Sequence, residues 1–230
     1  MYSVFFNSGG VLVRDVLIAS GSGVILGVIF YFLAVYQVSV RAKFTDADKV
    51  KRIKNRKWLV AWIGVMLLVS ILFSLTSADW WTKGMYILIV AMSINVAAVD
   101  ISLRRIPNAL LLGMMLLKIA DVIIKQVFAN ESCIQSLFYA ILSMLAIYVL
   151  CTLPNIVGIN MGAGDIKYCS VLGFVFGIKG FALAMVAMSV LLIVYVIYLK
   201  ATKKGGMKTV APLGPFLSAG SLFTMMIMLM

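Results

Sequence analysis

Long apolar runs separated by short basic segments dominate the sequence. A helix that crosses a bilayer needs roughly 20 mainly apolar residues. Such runs lie near residues 18–40, 58–76, 84–102, 107–128, 134–157, 165–178, 180–199 and 211–229. The run at 165–178 is short and contains glycine. The pattern predicts an all-α fold, a polytopic integral membrane helix bundle of about eight transmembrane helices with no sizeable soluble domain.

The composition excludes a water-soluble globule. The chain is 63% hydrophobic and 12% charged, and its mean hydropathy is +1.10, so too few polar side chains remain to cover a soluble surface. It has no His, and its three Cys form no CxxC pair, which excludes zinc-ribbon, haem and redox motifs. The N-terminal stretch has no basic start before its apolar residues, so we expect no cleaved signal peptide.

The basic residues predict the orientation. The net charge is +12, and fifteen of the 20 Lys and Arg lie in segments 41–57, 103–106, at Lys167 and in 200–210. If eight passes alternate, all four segments lie on one face, which the positive-inside rule makes cytoplasmic. Both termini are then outside. Residues 1–83 form a two-span region with the basic loop 41–57, and residues 84–230 form a six-span core. No aromatic residues interleave through that loop, so we expect no nucleic-acid binding.

A few acidic residues lie in or beside the apolar runs, where a charge costs a few kcal/mol. Lys118 and Asp121 are three residues apart on one helix face and are expected to neutralise each other as a structural pair, in preference to forming a substrate or proton path. The same applies to Asp15, which follows Arg14. Asp100 and Asp165 have no equally close basic neighbour inside the bilayer, and both lie where a span meets the cytoplasmic interface.

Asp100 and Asp165 could act as a pair of carboxylates that share one proton, because like charges a few ångströms apart cannot both ionise. The ionised partner would take a proton from water, the water would attack a peptide carbonyl, and the protonated partner would assist the leaving amine. Helix polarity predicts Asp165 as the base, since it begins its span, and Asp100 as the acid, since it ends its own. No metal, His or nucleophilic Ser is required.

Small residues precede the second acid. Gly162, Ala163 and Gly164 are predicted to form an active-site loop without bulky side chains. The glycines could adopt positive φ, and an extended substrate could then approach the backbone. Such a loop at membrane depth must be surrounded by protein or by a water-filled cavity.

Three blocks resemble the type IV prepilin peptidase family, intramembrane aspartic proteases of the GxGD class. They are VDISLRRIPN (99–108), GAGDIKYCSVLGFVFG (162–177) and PLGPFLSAG (212–220). The resemblance implies that Asp100 and Asp165 are the catalytic acids. Possible supporting residues are Lys167, Pro107, Asn108, Gly214 and Pro215. The Pro-Ala-Leu motif of presenilin-like proteases is absent.

The resemblance further implies a function. Members of the family cut the basic leader from prepilin or pseudopilin precursors at the cytoplasmic face of a prokaryotic inner membrane, and the mature proteins assemble into pili or secretion filaments. Many members also methylate the new terminus with S-adenosylmethionine, using a cytoplasmic region that often holds two CxxC pairs. The loop 41–57 is short and has no Cys. A peptidase that needs no cofactor for proteolysis is therefore expected.

Two other readings remain open. Asp100, Asp121 and Asp165 could form the ion or proton path of a small transporter, although no inverted repeat is obvious. A scaffold without activity is the other. For a peptidase, the leader and the enzyme surface are both basic, so affinity must come mostly from helix packing or from local acids such as Asp46 and Asp48. We expect the substrate helix to dock against spans 107–128 and 211–229, where Gly214 and Gly220 would permit close approach. The alternative is that Gly220 only packs internal helices.

Overall fold

The computed structural model of the chain describes residues 2–42, 53–129, 132–156, 158, 161–202 and 212–230, with side chains described from residue 14 onward except at residue 129. The described residues form helices and no strands. In chain order the helices are α1 (Tyr2–Ala42), α2 (Arg56–Ser74), α3 (Trp80–Leu103), α4 (Asn108–Ala129), α5 (Cys133–Ile156), α6 (Ala163–Ala201) and α7 (Gly214–Leu229).

The predicted all-α polytopic bundle is confirmed, but the count of eight spans is not. By length and composition, five of the described helices can cross a membrane: α1 from Arg14, α2, α3, α5 and α6. Helix α4 has 22 residues but carries three ionisable side chains, and α7 has only 16 residues. The described helices thus make a multi-pass membrane protein, and the count of eight passes stays a prediction.

Helix α6 accounts for part of the difference, since its 39 residues cover both runs predicted at 165–178 and 180–199. The helix is interrupted at Gly177, whose φ of 71° and ψ of 179° are not helical. Glycine tolerates positive φ because it has no Cβ. Hydropathy reported a possible boundary here but could not distinguish two separate spans from one broken helix.

The described contacts divide the chain into two compact units, residues 1–91 with 229–230, and residues 92–228. The division expected after residue 83 stays a prediction. In the first unit α1 packs against α2. A Cβ built on Gly23 would lie 2.9 Å from the Leu67 Cα, and one built on Gly27 would lie 2.8 Å from the Ile63 Cα. This four-residue spacing of glycines lets the two backbones approach closely, as in many membrane helix pairs.

In the second unit α5 and α4 both pack on α6. A buried polar contact connects three helices of this unit. The Tyr168 hydroxyl of α6 lies 2.9 Å from the Ser218 hydroxyl of α7, which donates to the Ser93 carbonyl of α3 at 2.7 Å. Ser218 has a single hydroxyl proton, so Tyr168 is the donor in the first bond. The network connects the three helices that carry the acidic and glycine blocks described above.

The charged residues within the apolar runs form the expected ion pairs. Asp121 lies 3.3 Å from Lys118, as predicted, and 3.2 Å from Lys125, one turn further along α4. The sequence reading missed Lys125, although its spacing of four residues from Asp121 was a sufficient signal. Arg14 and Asp15 also form an ion pair, at 3.7 Å.

Candidate active site

Asp100 and Asp165 line one cavity of about 370 Å³ in the second unit. Residues far apart in the sequence thus meet at one place, as the paired-acid interpretation requires. The full lining comprises Asp100, Arg104, Arg105, Ile106, Asn108, Gly162, Ala163, Gly164, Asp165 and Lys167.

Asp100 lies near the end of α3 and is only 6% exposed. Its Oδ2 accepts a 3.0 Å hydrogen bond from the backbone N–H of Gly214. Gly214 is the first residue of α7, where backbone N–H groups have no partner within the helix. A Cβ on Gly214 would lie 2.7 Å from the same carboxylate oxygen. The absence of a side chain at Gly214 therefore permits this contact.

Asp165 lies in the first turn of α6, which begins directly after Gly162. The chain enters this turn through a 2.7 Å hydrogen bond from the Met161 N–H to the Asn155 side-chain oxygen. The Gly162 carbonyl then accepts from the Ile166 N–H at 3.1 Å. Asp165 thus lies at a helix start that is held by one hydrogen bond just before the helix and one within its first turn.

The expectation that the glycines before Asp165 use positive φ is wrong. Gly162 is extended, with φ −61° and ψ 133°, and Gly164 is already helical. Glycine is favoured at both positions because little room is left for a side chain. A Cβ on Gly162 would lie 2.9 Å from Asp165 Oδ2, and one on Gly164 would lie 3.3 Å from the Ile106 Cβ. The expected loop is therefore the beginning of a helix in which the two glycines leave room for their neighbours.

Helix polarity does not separate the roles of the two acids. Asp165 lies at the N-terminus of its own helix, as expected. Asp100 ends its own helix but contacts the N-terminus of α7 through Gly214. Both carboxylates therefore face the positive end of a helix dipole. The assignment of Asp165 as base and Asp100 as acid stays a prediction without this support.

Three cationic residues, Arg104, Arg105 and Lys167, line the cavity with the acids. The charge pattern predicted only a topological role for the two arginines, although Arg104 follows Asp100 by about one helical turn. Its N–H donates to the Asp100 carbonyl at 2.8 Å, and its φ is 50°. A left-handed conformation is uncommon for a residue other than glycine and is often found at functional sites.

The supporting residues suggested by the resemblance differ in position. Asn108 and Lys167 line the cavity, and both are exposed. Pro107 is buried and its carbonyl accepts the first hydrogen bond of α4, from the Leu110 N–H at 3.1 Å. Pro215 is the second residue of α7, a position that tolerates the missing N–H. Pro107 and Pro215 thus shape helix starts beside the site.

Gly220 belongs to internal packing. It is buried, and a Cβ there would overlap the Ala184 carbonyl oxygen of α6. The alternative in which Gly220 only packs internal helices is therefore the correct one. Substitution with Leu would disturb α6 and α7, so it does not report on substrate docking.

These features define a multi-pass helical membrane protein with two aspartates in one cavity, a class that includes intramembrane hydrolases. The family model of the type IV leader peptidase family matches residues 87–197. This segment, which is just under half of the chain, is similar to that family, and the match supports a peptidase. The match includes Asp100 and Asp165, whereas the block at 212–220 lies outside it. No curated protein and no solved structure matches the chain.

Proposed function

We propose that the protein is an aspartic endopeptidase that removes the basic leader of type IV prepilin or pseudopilin precursors. The observation that carries the proposal is the meeting of Asp100 and Asp165 in one cavity, within the segment that matches the leader peptidase family. The other lining residues supply no His, Cys or Ser nucleophile. Paired carboxylates that activate water are the chemistry this cavity fits best.

The reaction uses one proton shared between the acids. One carboxylate accepts a proton from water, whose oxygen forms a bond to the carbonyl carbon of the scissile peptide. The other carboxyl group protonates the leaving nitrogen as the C–N bond breaks. The water thus ends in the new carboxylate and the new amine. Arg104, Arg105 and Lys167 add positive charge beside the carbonyl oxygen, which becomes negative in the tetrahedral intermediate.

The site faces the cytoplasm of a prokaryotic cell in this proposal, with both termini of the chain outside the inner membrane. The cavity supports one part of it, since Arg104, Arg105 and Lys167 come from two of the basic segments and lie together. Residues 43–52 and 203–210, with most of the other two basic segments and the acids Asp46 and Asp48, lie outside the described residues. Proteolysis needs no metal or cofactor, and S-adenosylmethionine would serve only a separate methylation step.

Leader removal provides the test. The protein is co-expressed with a prepilin that carries a basic leader and an apolar helix, and the shift of the precursor is followed on a gel. Asp100→Asn and Asp165→Asn should each abolish the shift, whereas Asp15→Asn, which does not line the cavity, should leave it unchanged. Full cleavage by both active-site variants rejects the aspartic mechanism. Proton or ion flux in liposomes without any cleavage would favour the transporter.

A further inference from the structure

An apolar groove of about 490 Å³ lies on the second unit between α4, α5 and α6. Each helix contributes residues from one face, at spacings of three or four. The lining consists of Asn108, Leu111, Leu112 and Met115 from α4, Met144, Leu145 and Tyr148 from α5, and Lys167, Ser170 and Val171 from α6. From Asn108 to Met115 the groove extends about 10 Å along α4 at the helical rise per residue.

The groove is continuous with the cavity that holds the acids. Asn108 and Lys167 line both. The other polar residues of the groove are Tyr148 and Ser170. The Ser170 hydroxyl already donates to the Ile166 carbonyl at 2.8 Å. The groove therefore offers an apolar wall that leads to a polar end beside Asp100 and Asp165.

We infer that this groove binds the first turns of the apolar helix of the substrate, directly after the bond that is cut. The inference rests on the proposed peptidase function and names the surface that holds the substrate. When the scissile peptide bond lies at the two acids, the substrate chain after that bond must leave the cavity. Asn108 and Lys167 line both the cavity and the groove, so the groove is the apolar surface next to the acids. The groove thus replaces the docking surface expected on span 211–229, while span 107–128 is retained.

The lining also predicts what the groove accepts. Met115 and Met144 have flexible, unbranched side chains that adapt to apolar partners of different shapes. Substrates whose first helical turns differ in apolar side-chain size should therefore be cut at similar rates. A positively charged residue in these turns would lie against the apolar wall and Lys167 with no acidic partner, and it should slow cleavage.

The test compares two leucines of α5. Leu145 lines the groove and is 52% exposed, whereas Leu142 is 48% exposed and does not line it. Leu145→Trp should fill the groove and raise KM for the full precursor about tenfold, the cost of displacing one large apolar side chain. Leu142→Trp should leave KM unchanged. Thermal unfolding of both variants in detergent should be alike, because both side chains are on the helix surface.

Crosslinking identifies the occupant. A photoreactive residue is placed at 145 or at 142 in the Asp165→Asn background, with the precursor present in proteoliposomes. A crosslink from 145, but not 142, to the first turns of the precursor helix supports the inference. Crosslinks from 145 to lipid alone overturn it, as does equal KM for Leu145→Trp and Leu142→Trp. These outcomes leave the peptidase function intact if the wild type cleaves; a wild type that cleaves nothing would overturn both.

Discussion

The backbone N–H of Gly214 donates a 3.0 Å hydrogen bond to Oδ2 of Asp100, although 114 residues separate the two in the sequence. The bond links the end of α3 to the start of α7. It presents to the carboxylate a helix N-terminus, where the N–H groups and the helix dipole favour negative charge. The glycine block near the C-terminus therefore acts on the first acid, outside the segment that matches the leader peptidase family.

Gly214→Ala should impair cleavage strongly. The new Cβ would lie 2.7 Å from Asp100 Oδ2 and would force the carboxylate away from the N–H donor. Loss of a hydrogen bond to a charged group corresponds to about 1.5–3 kcal/mol, so we expect cleavage to slow about tenfold or more. Rates are measured with the precursor in detergent. The matched control is Ala219→Val on the exposed side of α7, and equal rates for both variants would contradict the role of this contact.

Arg104 allows a test that separates backbone from side chain. The φ of Arg104 is 50°, a conformation that costs less for glycine than for alanine. Arg104→Gly should therefore be more stable than Arg104→Ala by about 1 kcal/mol and should unfold at a higher temperature. Both variants remove the guanidinium from the cavity, so both should cleave more slowly than the wild type. Thermal unfolding and initial rates are measured on the same preparations. If the two variants have the same stability, the left-handed conformation carries no measurable strain.

Tyr168→Phe should destabilise the protein by about 1 kcal/mol, because it removes one buried hydrogen bond between α6 and α7. Ser218 keeps its bond to the Ser93 carbonyl, so no buried hydroxyl loses every partner. Tyr198→Phe, on an exposed part of α6, should have no effect. The readout is the unfolding temperature in detergent. A Tyr168 variant as stable as the Tyr198 variant would show that the network does not stabilise the unit.

Alanine substitutions in α1 should distinguish packed from open glycines. Gly27→Ala places a methyl group 2.8 Å from the Ile63 Cα and should destabilise the α1–α2 pair by about 1–3 kcal/mol. Gly21→Ala meets nothing within 4 Å and should be neutral or stabilising, since alanine favours helix. The unfolding temperatures of the two variants are compared. Equal values would contradict the close approach of the two helices.

Asp121→Asn should lower stability and leave proteolysis intact. The substitution removes the charge that Lys118 and Lys125 share, and a cation left without its partner in a partly buried position costs up to about 3 kcal/mol. Cleavage measured well below the unfolding temperature should match the wild type, because Asp121 does not line the cavity of the acids. Abolished cleavage by a folded variant would make Asp121 part of the reaction path and would favour the transporter interpretation.

The sequence by itself determined the helical membrane class and singled out the two acids. Apolar runs of membrane length can satisfy their backbone only as helices, and charges beside such runs are costly enough to identify Asp100 and Asp165. It also identified the pairing of Lys118 with Asp121, because residues three apart on a helix are neighbours wherever the helix lies.

Only the tertiary structure decided what depends on distant segments. Periodicity within one helix does not encode contacts between different helices. Such contacts are the bond from Gly214 to Asp100, the packing of Gly220 on Ala184, and the position of Arg104 and Lys167 in one cavity. The helix-polarity argument did not separate the acids for the same reason, since α7 brings a second N-terminus to Asp100. At Gly177 hydropathy indicated a boundary between two runs, but only the structure showed a single helix interrupted by one non-helical glycine, because a backbone angle leaves little trace in the polarity of side chains.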